Sequence, residues 1–143
     1  PTELEWEYAC RAGAATAFPC GDRIGPGDAL YNASQGFDAA RPRRPRLMKR
    51  CFVRCGAQEV GRLRPNRWGL HDMMGNVWEF TSSAWTRDHA SLPERPLAGK
   101  VQAMVTKGGS WFDGPEDCRA AARRRRLENE LDINLGFRVV REI

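Results

Sequence analysis

The sequence predicts a loop-rich α+β domain with one short helix and several short strands. Three observations support this prediction. Only the start of the chain has apolar residues at helical spacing, the segment that follows is interrupted throughout by glycine and proline, and the runs of β-forming residues in the second half are short. The sequence contains no internal repeat and no low-complexity tract. A single small unit is therefore the expected organisation.

The composition is that of a globular protein with a modest positive charge. The 143 residues include 23 Lys and Arg against 18 Asp and Glu, which gives a net charge of +5, and 41% of the residues are hydrophobic. Such a mixture can form a core and is not typical of disorder. No stretch approaches the roughly 18–20 apolar residues of a membrane span, so we expect no membrane partner. The sequence shows neither a signal peptide nor an initiator methionine, and we expect it to be part of a longer chain.

The first element is a helix predicted over residues 3–12. The segment Thr2–Glu5 has the spacing of a capping box, in which a hydroxyl and a carboxylate bind the first backbone amides. The apolar residues recur at helical spacing on two neighbouring rows, with Leu4, Tyr8 and Ala12 on one and Trp6 and Cys10 on the other. This pattern predicts a helix with one buried aromatic face, which ends at the glycine that follows.

Residues 13–66 are predicted to be mostly loop, because glycine and proline recur along them. A loop of this length in a compact domain is usually functional or held by a ligand. Within it, residues 41–54 carry seven basic side chains and no acidic one, and a second basic cluster follows at residues 123–126. Arginine suits phosphate oxygens, but no nucleic-acid-binding motif accompanies either cluster. We therefore expect solvated basic loops rather than a nucleic-acid site.

The second half of the chain contains the candidate strands. They are residues 77–81, residues 101–105 and the terminal residues 136–141. A polar loop over residues 82–100 and a tight turn at Gly108–Trp111 connect them, and residues 118–126 alternate too poorly to be assigned.

Several familiar kinds of site are disfavoured by the residues available. His71 and His89 are the only histidines and neither lies in a zinc-binding pattern, so histidine catalysis is not expected. Cys51 and Cys55 lack two further metal ligands at suitable spacing, which favours free thiols or a local disulfide. The triplet Asn32–Ser34 fits a glycosylation sequon, although such triplets arise often by chance.

One acidic turn has the donor types of a calcium site. Asp72 and Glu79 bracket a bend at Gly75 and Asn76, where the chain can expose backbone carbonyls. Carboxylate and main-chain oxygens are the hard ligands that Ca²⁺ takes in six- to eightfold coordination. The alternative is an ordinary Asx-type turn, with Glu79 facing solvent or an arginine.

Four blocks of the sequence, in this order, resemble the formylglycine-generating enzyme (sulfatase-modifying factor) family. They are Pro1–Gly13 (PTELEWEYACRAG), Pro65–Phe80, Gly108–Trp111 and Gly136–Arg138. Together they span nearly the whole chain. Domains of this family are considerably longer, so the chain resembles the C-terminal portion of one sulfatase-modifying-factor-type domain. The resemblance implies a C-type-lectin-like α+β fold with short antiparallel strands, rich in loops and held partly by calcium.

The resemblance also implies positions for calcium ligands. The calcium pattern of the family falls on Asp72 and Glu79 through their side chains, and on Gly75 and Val77 through their backbone carbonyls. A second calcium site would begin at Asn32 and Ala33. Its remaining ligands would fall where this chain carries the first basic run, which places the second site in doubt.

The enzymes of the family oxidise a cysteine of sulfatase chains to formylglycine and hold Cu(I) with two cysteines after the Gly-Gly-Ser turn. Counting forward from Ser110, these positions hold Asp113 and Cys118. One carboxylate and one thiolate do not make the soft two-thiolate site that suits Cu(I), so no copper site is expected. Ser110 and Cys118 are the candidate catalytic residues if the chain is active. Counting back from Gly136 instead implies a structural link or contact between Cys118 and Cys10, which we favour over a catalytic Cys118.

The resemblance leaves several functions open. We favour a family member without the copper-binding cysteine pair, which acts as a module that binds a protein or peptide ligand or partner. The first alternative is an active copper-dependent oxidase. A further alternative is a variable ligand-binding protein of a diversity-generating retroelement, in which residues 112–135 would be the variable stretch. A sulfoxide-synthase-like iron enzyme ranks last, because it needs a histidine-bearing N-terminal part.

Overall fold

The computed structural model describes residues 1–34, 56–87 and 101–141. These residues form few and short elements, as predicted: an α-helix, a short 3₁₀ helix and four strands, joined by loops and turns. In chain order they are α1 (Glu3–Arg11), β1 (Trp78–Ala84), β2 (Ala103–Lys107), the 3₁₀ helix (Pro115–Cys118), β3 (Arg124–Leu127) and β4 (Leu135–Phe137). The predictions for the basic run at residues 41–54 and for Cys51, Cys55 and His89 lie outside the described residues.

The four strands form one sheet in the order β3-β2-β1-β4. β1 pairs antiparallel with β2, so that Glu79 lies opposite Lys107, and β2 pairs antiparallel with β3. β4 runs parallel to β1 and places Gly136 opposite Glu79. β1 is therefore an inner strand, and among the described strands β3 and β4 form the two edges of the sheet.

α1 begins as its capping box predicts. The Thr2 side chain accepts a hydrogen bond from the Glu5 amide at 3.3 Å, and the Glu5 carboxylate accepts one from the Thr2 amide at 2.7 Å. The helix ends at Arg11, one residue before the predicted end, because Ala12 adopts a left-handed conformation with φ of 44°.

The buried face of α1 is only one of the two predicted rows. Trp6 and Cys10 are 1% and 0% exposed, because α1 packs this row against β1 and β2. Leu4 and Tyr8, on the other row, are 75% and 69% exposed, so the one buried aromatic face predicted for the helix is the row of Trp6. Tyr8 instead makes an edge contact with the half-exposed ring of Trp68, with 4.9 Å between the ring centroids.

The strand boundaries differ from the predictions by a few residues. β1 continues to Ala84, three residues into the predicted polar loop, and β2 begins two residues later than predicted. β4 ends at Phe137, so the predicted terminal strand is much shorter in the structure. β3 has no counterpart among the predicted strands.

β3 forms from the second basic cluster, and the prediction of a solvated loop there is wrong. Three of the four arginines are neutralised internally: Arg123 pairs with Glu3, Arg124 with Asp113, and Arg126 with Glu130 and Asp132. Two of these guanidinium groups also lie over aromatic rings, Arg123 over Trp85 at 4.8 Å and Arg124 over Trp78 at 4.4 Å. Internal pairing and stacking therefore allow a run of like charges to form a strand.

The core is small and is built from the buried row of α1 and the loops that surround it. Its buried residues are Trp6, Cys10, Phe18, Ala29, Met73, Met74, Cys118 and Ala120. Of the helices in the described ranges, none has the length and hydropathy needed to cross a bilayer.

Candidate functional site

The turn that precedes β1 is held in a fixed shape by two neighbouring loops. Its backbone is left-handed at Asp72, Gly75 and Asn76. A Cβ atom on Gly75 would lie 2.1 Å from the Leu30 carbonyl oxygen, so only glycine allows this close approach. The Asn76 amide donates to the same carbonyl at 2.8 Å, and the Asn76 side chain exchanges two hydrogen bonds with the Gln58 backbone.

A cavity of about 490 Å³ opens beside this turn, and we call it the acidic-turn cavity. All four positions of the first predicted calcium site line it, namely Asp72, Gly75, Val77 and Glu79. Other lining residues include the apolar side chains of Val60, Leu70 and Phe137 and the guanidinium of Arg138. The structure therefore brings together the four residues that the sequence associates with one metal site.

Glu79 is the most strongly bonded group of this cavity. Its carboxylate is 7% exposed and accepts hydrogen bonds from Trp6 Nε1 at 2.6 Å and from Arg138 Nε and Nη2 at 3.0 and 2.8 Å. Arg138 also donates to the His71 carbonyl at 2.9 Å. A charge-assisted fork of this kind is strong and directional. The structure thus pairs Glu79 with an arginine, which is the second of the two interpretations that the sequence allows for this turn.

The donors of the acidic-turn cavity fit calcium in chemical type, although part of their charge is already balanced. The Asp72 carboxylate accepts a hydrogen bond from the Gly61 amide at 2.6 Å, and Arg138 neutralises Glu79. In the described part of the chain, no three His, Cys, Asp or Glu side chains are grouped so that they could hold a metal ion. A calcium ion here would depend on the carbonyls of Gly75 and Val77 and would share Glu79 with Arg138.

Asn32, the first residue of the second predicted calcium site, is not among the residues that line this cavity. Its side-chain oxygen accepts hydrogen bonds from the Ser34 amide at 3.2 Å and the Ser34 hydroxyl at 2.6 Å. The Asn32 backbone amide donates to the Asp113 backbone carbonyl at 2.9 Å. Ala33, predicted beside it, is exposed, and the remaining ligands predicted for that site lie outside the described residues.

Ser110 lies in a buried hydrogen-bond network behind the Gly-Gly turn. Its hydroxyl is fully buried, donates to Asp113 Oδ2 and accepts from Asn134 Nδ2 at 3.0 Å. The Asp113 carboxylate, 7% exposed, also accepts from Trp78 Nε1 and from Arg124 Nη2, each at 2.7 Å. We call these five residues the Ser110 network. Three donors bind the Asp113 carboxylate, so it serves as a buried structural anion.

Cys118, at the end of the 3₁₀ helix, is a buried neutral thiol. A Cβ atom on Gly109 would lie 2.8 Å from its Sγ, which shows how closely the Gly-Gly turn covers it. Burial raises the pKa of Cys118, and the nearby carboxylates of Asp113 and Asp117 raise it further. A nucleophilic cysteine needs a lowered pKa, so this environment does not activate Cys118 as a nucleophile.

Cys10 has a similar environment. Burial is the largest influence on its pKa, which lies at about 12, and its thiol donates to the Met73 carbonyl at 3.6 Å. Cys10 and Cys118 belong to the same core cluster, and both are free thiols in the structure. The structure therefore places the two residues in one core and contains no disulfide between them.

Lys107 is a buried charge that the sequence pattern does not indicate. Its side chain is fully buried, with Nζ 3.0 Å from Glu7 Oε2 and 5.8 Å from the centroid of the Trp6 ring. Burial lowers the pKa of Lys107, whereas the Glu7 carboxylate opposes that change. The only sequence signal is its place at the end of a strand beside the Gly-Gly turn, and that signal does not reveal burial.

The fold defines the class of protein first. The solved structure named Treponema denticola variable protein 1 matches this fold with a TM-score of 0.67 at 24% identity, over 96% of this chain and 45% of that chain. The predicted loop-rich α+β fold of the formylglycine-generating-enzyme type is confirmed.

The sequence comparisons then define the family. The chain belongs to the formylglycine-generating enzyme family, since the model of the sulfatase-modifying factor enzyme 1-like domain matches residues 1–143. The chain is 36% identical to the formylglycine-generating enzyme of Mus musculus, over 96% of this chain and 37% of that protein. It is 34% identical to the enzyme of Mycobacterium tuberculosis, over 98% of this chain and 50% of that protein.

A third relative is the protein named inactive C-alpha-formylglycine-generating enzyme 2 of Mus musculus. It is 32% identical, over 96% of this chain and 41% of that protein. This chain therefore spans half or less of the length of each of these relatives.

Proposed function

We propose that this chain is a binding module of the formylglycine-generating enzyme family, with a protein or peptide as its ligand, and that its own residues form no copper centre. The observation that carries the proposal is the Asp113 carboxylate, which occupies one of the two family copper positions and is held by Ser110, Trp78 and Arg124. A hard carboxylate in this state is a poor ligand for Cu(I).

The state of the second copper position supports the same proposal. Cys118 is fully buried, and Asp113 stands where the second thiolate that Cu(I) prefers would be. Family members without activity are also known among the relatives, since one of them is named an inactive formylglycine-generating enzyme. Ser110 is then a structural member of its network rather than a catalytic residue.

The acidic-turn cavity is the proposed binding site. Its volume of about 490 Å³ lies within the range of pockets that hold small ligands or side chains. Val60 and Phe137 are apolar lining residues that are 73% and 77% exposed, and the pair of Glu79 and Arg138 provides fixed polar groups in the same cavity. Apolar walls with a few oriented polar groups are typical of a site that binds a peptide side chain.

Copper titration tests the proposal. The protein would be titrated with Cu(I) against a competing chelator, in parallel with Cys118→Ala and with Cys20→Ala, which removes an exposed thiol. We expect no copper binding that depends on Cys118. Tight stoichiometric binding that Cys118→Ala abolishes and Cys20→Ala preserves would refute the proposal. Melting curves of both variants establish that they are folded.

The variable-protein alternative concerns residues 112–135, which are partly exposed, with Phe112, Leu131 and Ile133 56%, 97% and 80% exposed. Asp113, Cys118 and Ala120 are buried, and Arg124 and Arg126 form ion pairs. Variation would therefore be tolerated at the exposed positions and restricted at the buried and ion-paired ones.

We also propose that the acidic-turn cavity holds a structural calcium ion, bound by the carboxylates of Asp72 and Glu79 and the carbonyls of Gly75 and Val77. The supporting observation is that all four residues line one cavity. Calcium would fix the turn before β1 and add positive charge beside two carboxylates.

A further inference from the structure

A second cavity, with a volume of about 290 Å³, lies next to the acidic-turn cavity, and we call it the Arg67 cavity. Leu70 and Asp72 line both cavities, so the two are neighbours on one surface. Pockets that hold drug-sized ligands have volumes of roughly 300–1,000 Å³. The Arg67 cavity is at the lower end of this range and therefore suits a small molecule.

The described residues that line the Arg67 cavity include two arginines and two aspartates, and one arginine is already neutralised by an aspartate. Arg64 Nη2 lies 3.2 Å from Asp28 Oδ1. The Asp28 carboxylate also accepts a hydrogen bond from the Gly25 amide at 3.0 Å, which ties this ion pair to the backbone of its loop. Arg64 and Asp28 together therefore add no net charge to the cavity.

Arg67 and Asp72 are the other two charges, and neither forms an ion pair with any residue that the structure describes. Arg67 is exposed, so its guanidinium donors are available to a ligand. Asp72 Oδ2 accepts a hydrogen bond from the Gly61 amide at 2.6 Å, which leaves the second carboxylate oxygen available. The cavity thus presents one positive and one negative group that do not pair with each other.

We propose that the Arg67 cavity binds a free α-amino acid with an apolar side chain. Its carboxylate binds the guanidinium of Arg67, whose planar fork matches carboxylate geometry, and its ammonium group binds the carboxylate of Asp72. Its side chain packs against the apolar lining residues Leu70, Met73 and Met74. Methionine side chains are flexible and adapt to apolar groups of different shape.

The charges of the cavity favour a zwitterion over a ligand with a single charge. A simple anion that binds Arg67 would be repelled by the carboxylate of Asp72, and a simple cation that binds Asp72 would be repelled by Arg67. The interior of a peptide carries neither charge on its backbone. A free amino acid carries both on one carbon atom, so each of its charges meets an opposite one. This site is separate from the peptide site proposed above and does not depend on it.

Calorimetry tests the proposal with L-leucine and L-methionine as probes, in buffer with chelator because Asp72 also belongs to the proposed calcium site. The matched analogues are N-acetyl-L-leucine, which lacks the ammonium group, and L-leucinamide, which lacks the carboxylate. We expect saturable one-to-one binding of a free amino acid and binding weaker by about tenfold or more for both analogues, because each leaves one charge of the cavity unpaired. Arg67→Ala and Asp72→Asn are expected to weaken binding of the free amino acid by a similar factor. Asparagine keeps the shape of Asp72 and tolerates its left-handed backbone, which has φ of 55°.

Arg62→Ala is the matched control, because Arg62 is an exposed arginine that pairs with Glu59 and is not among the residues that line the cavity. It is expected to leave binding unchanged. The proposal is overturned if neither amino acid binds, if either analogue binds as tightly as L-leucine, or if Arg62→Ala weakens binding as much as Arg67→Ala. Binding that Phe137→Ala abolishes and Arg67→Ala retains would also overturn it, because the ligand would then occupy the acidic-turn cavity. Circular dichroism and melting midpoints verify that all variants are folded.

Discussion

Replacement of Asp113 by alanine tests whether the Ser110 network holds the second half of the fold together. The substitution removes the acceptor for two buried donors, Ser110 Oγ and Trp78 Nε1, and each loss costs about 1–3 kcal/mol. The Arg124 side chain is 31% exposed and also lies 3.6 Å from Asp117, so its contribution is below about 1 kcal/mol. We therefore expect Asp113→Ala to lower the free energy of unfolding by about 3–5 kcal/mol.

Urea unfolding, followed by tryptophan fluorescence and far-ultraviolet circular dichroism, measures this change. Asp113→Asn keeps the shape and one carbonyl oxygen, so it is expected to cost less than Asp113→Ala. Asp22→Ala is the control, because Asp22 is exposed and its loss is expected to cost less than about 0.5 kcal/mol. A loss below about 1 kcal/mol for Asp113→Ala would show that the carboxylate does not organise the network.

Three further predictions concern the acidic turn and α1. Gly75→Ala is expected to cost about 2–4 kcal/mol, because its Cβ would lie 2.1 Å from a carbonyl oxygen, whereas Gly13→Ala, also left-handed but with no atom within 4 Å, is expected to cost about 1 kcal/mol. Equal urea midpoints for the two variants would contradict the close approach. Excess calcium is expected to raise the free energy of unfolding by RT ln(1 + [Ca²⁺]/Kd), and therefore to raise the melting midpoint relative to chelator. Asp72→Ala is expected to remove this difference in midpoint. Identical midpoints for the unmodified protein in calcium and in chelator would reject the calcium site. Burial tends to raise the pKa of Glu7, but Lys107 and Arg11 outweigh it and hold that pKa below 4.5. The folded state then keeps Glu7 ionised where the unfolded state binds a proton, so this stability is present above pH 4.5 and is lost as the pH falls through the folded pKa. Glu7→Gln is expected to weaken the acid dependence of the urea midpoint, and an unchanged dependence would contradict the assignment.

The elements that sequence predicts well are those specified by neighbouring residues. The capping box of α1 and the left-handed bend at Gly75 depend on contacts within a few residues or on a conformation that favours glycine, and both occur in the structure. The clustering of Asp72 and Glu79 in one cavity follows from the same turn, because they lie only seven positions apart in the sequence.

The features that sequence does not predict depend on partners distant along the chain. Glu79 meets Arg138 across 59 positions, and Arg123 meets Glu3 across 120. β3 forms a strand because such partners neutralise its arginines, and these distant partners cannot be predicted from local strand propensity. The exposure of Leu4 also depends on distant parts of the chain, because the position of the sheet decides which row of α1 is buried.

The contacts of Trp6 have a consequence for how α1 is oriented. The indole N–H binds the Glu79 carboxylate at 2.6 Å, the Lys107 ammonium lies over the ring at 5.8 Å, and the ring edge would be 3.2 Å from a Cβ on Gly108. An aliphatic side chain in this place would tolerate rotation of the helix about its axis with little loss of buried area. The indole does not, because a modest rotation would separate an anion and a cation from the ring together. The polar contacts of Trp6 with Glu79 and Lys107 on the sheet therefore fix the rotation of the helix about its axis, in addition to the packing of the small core.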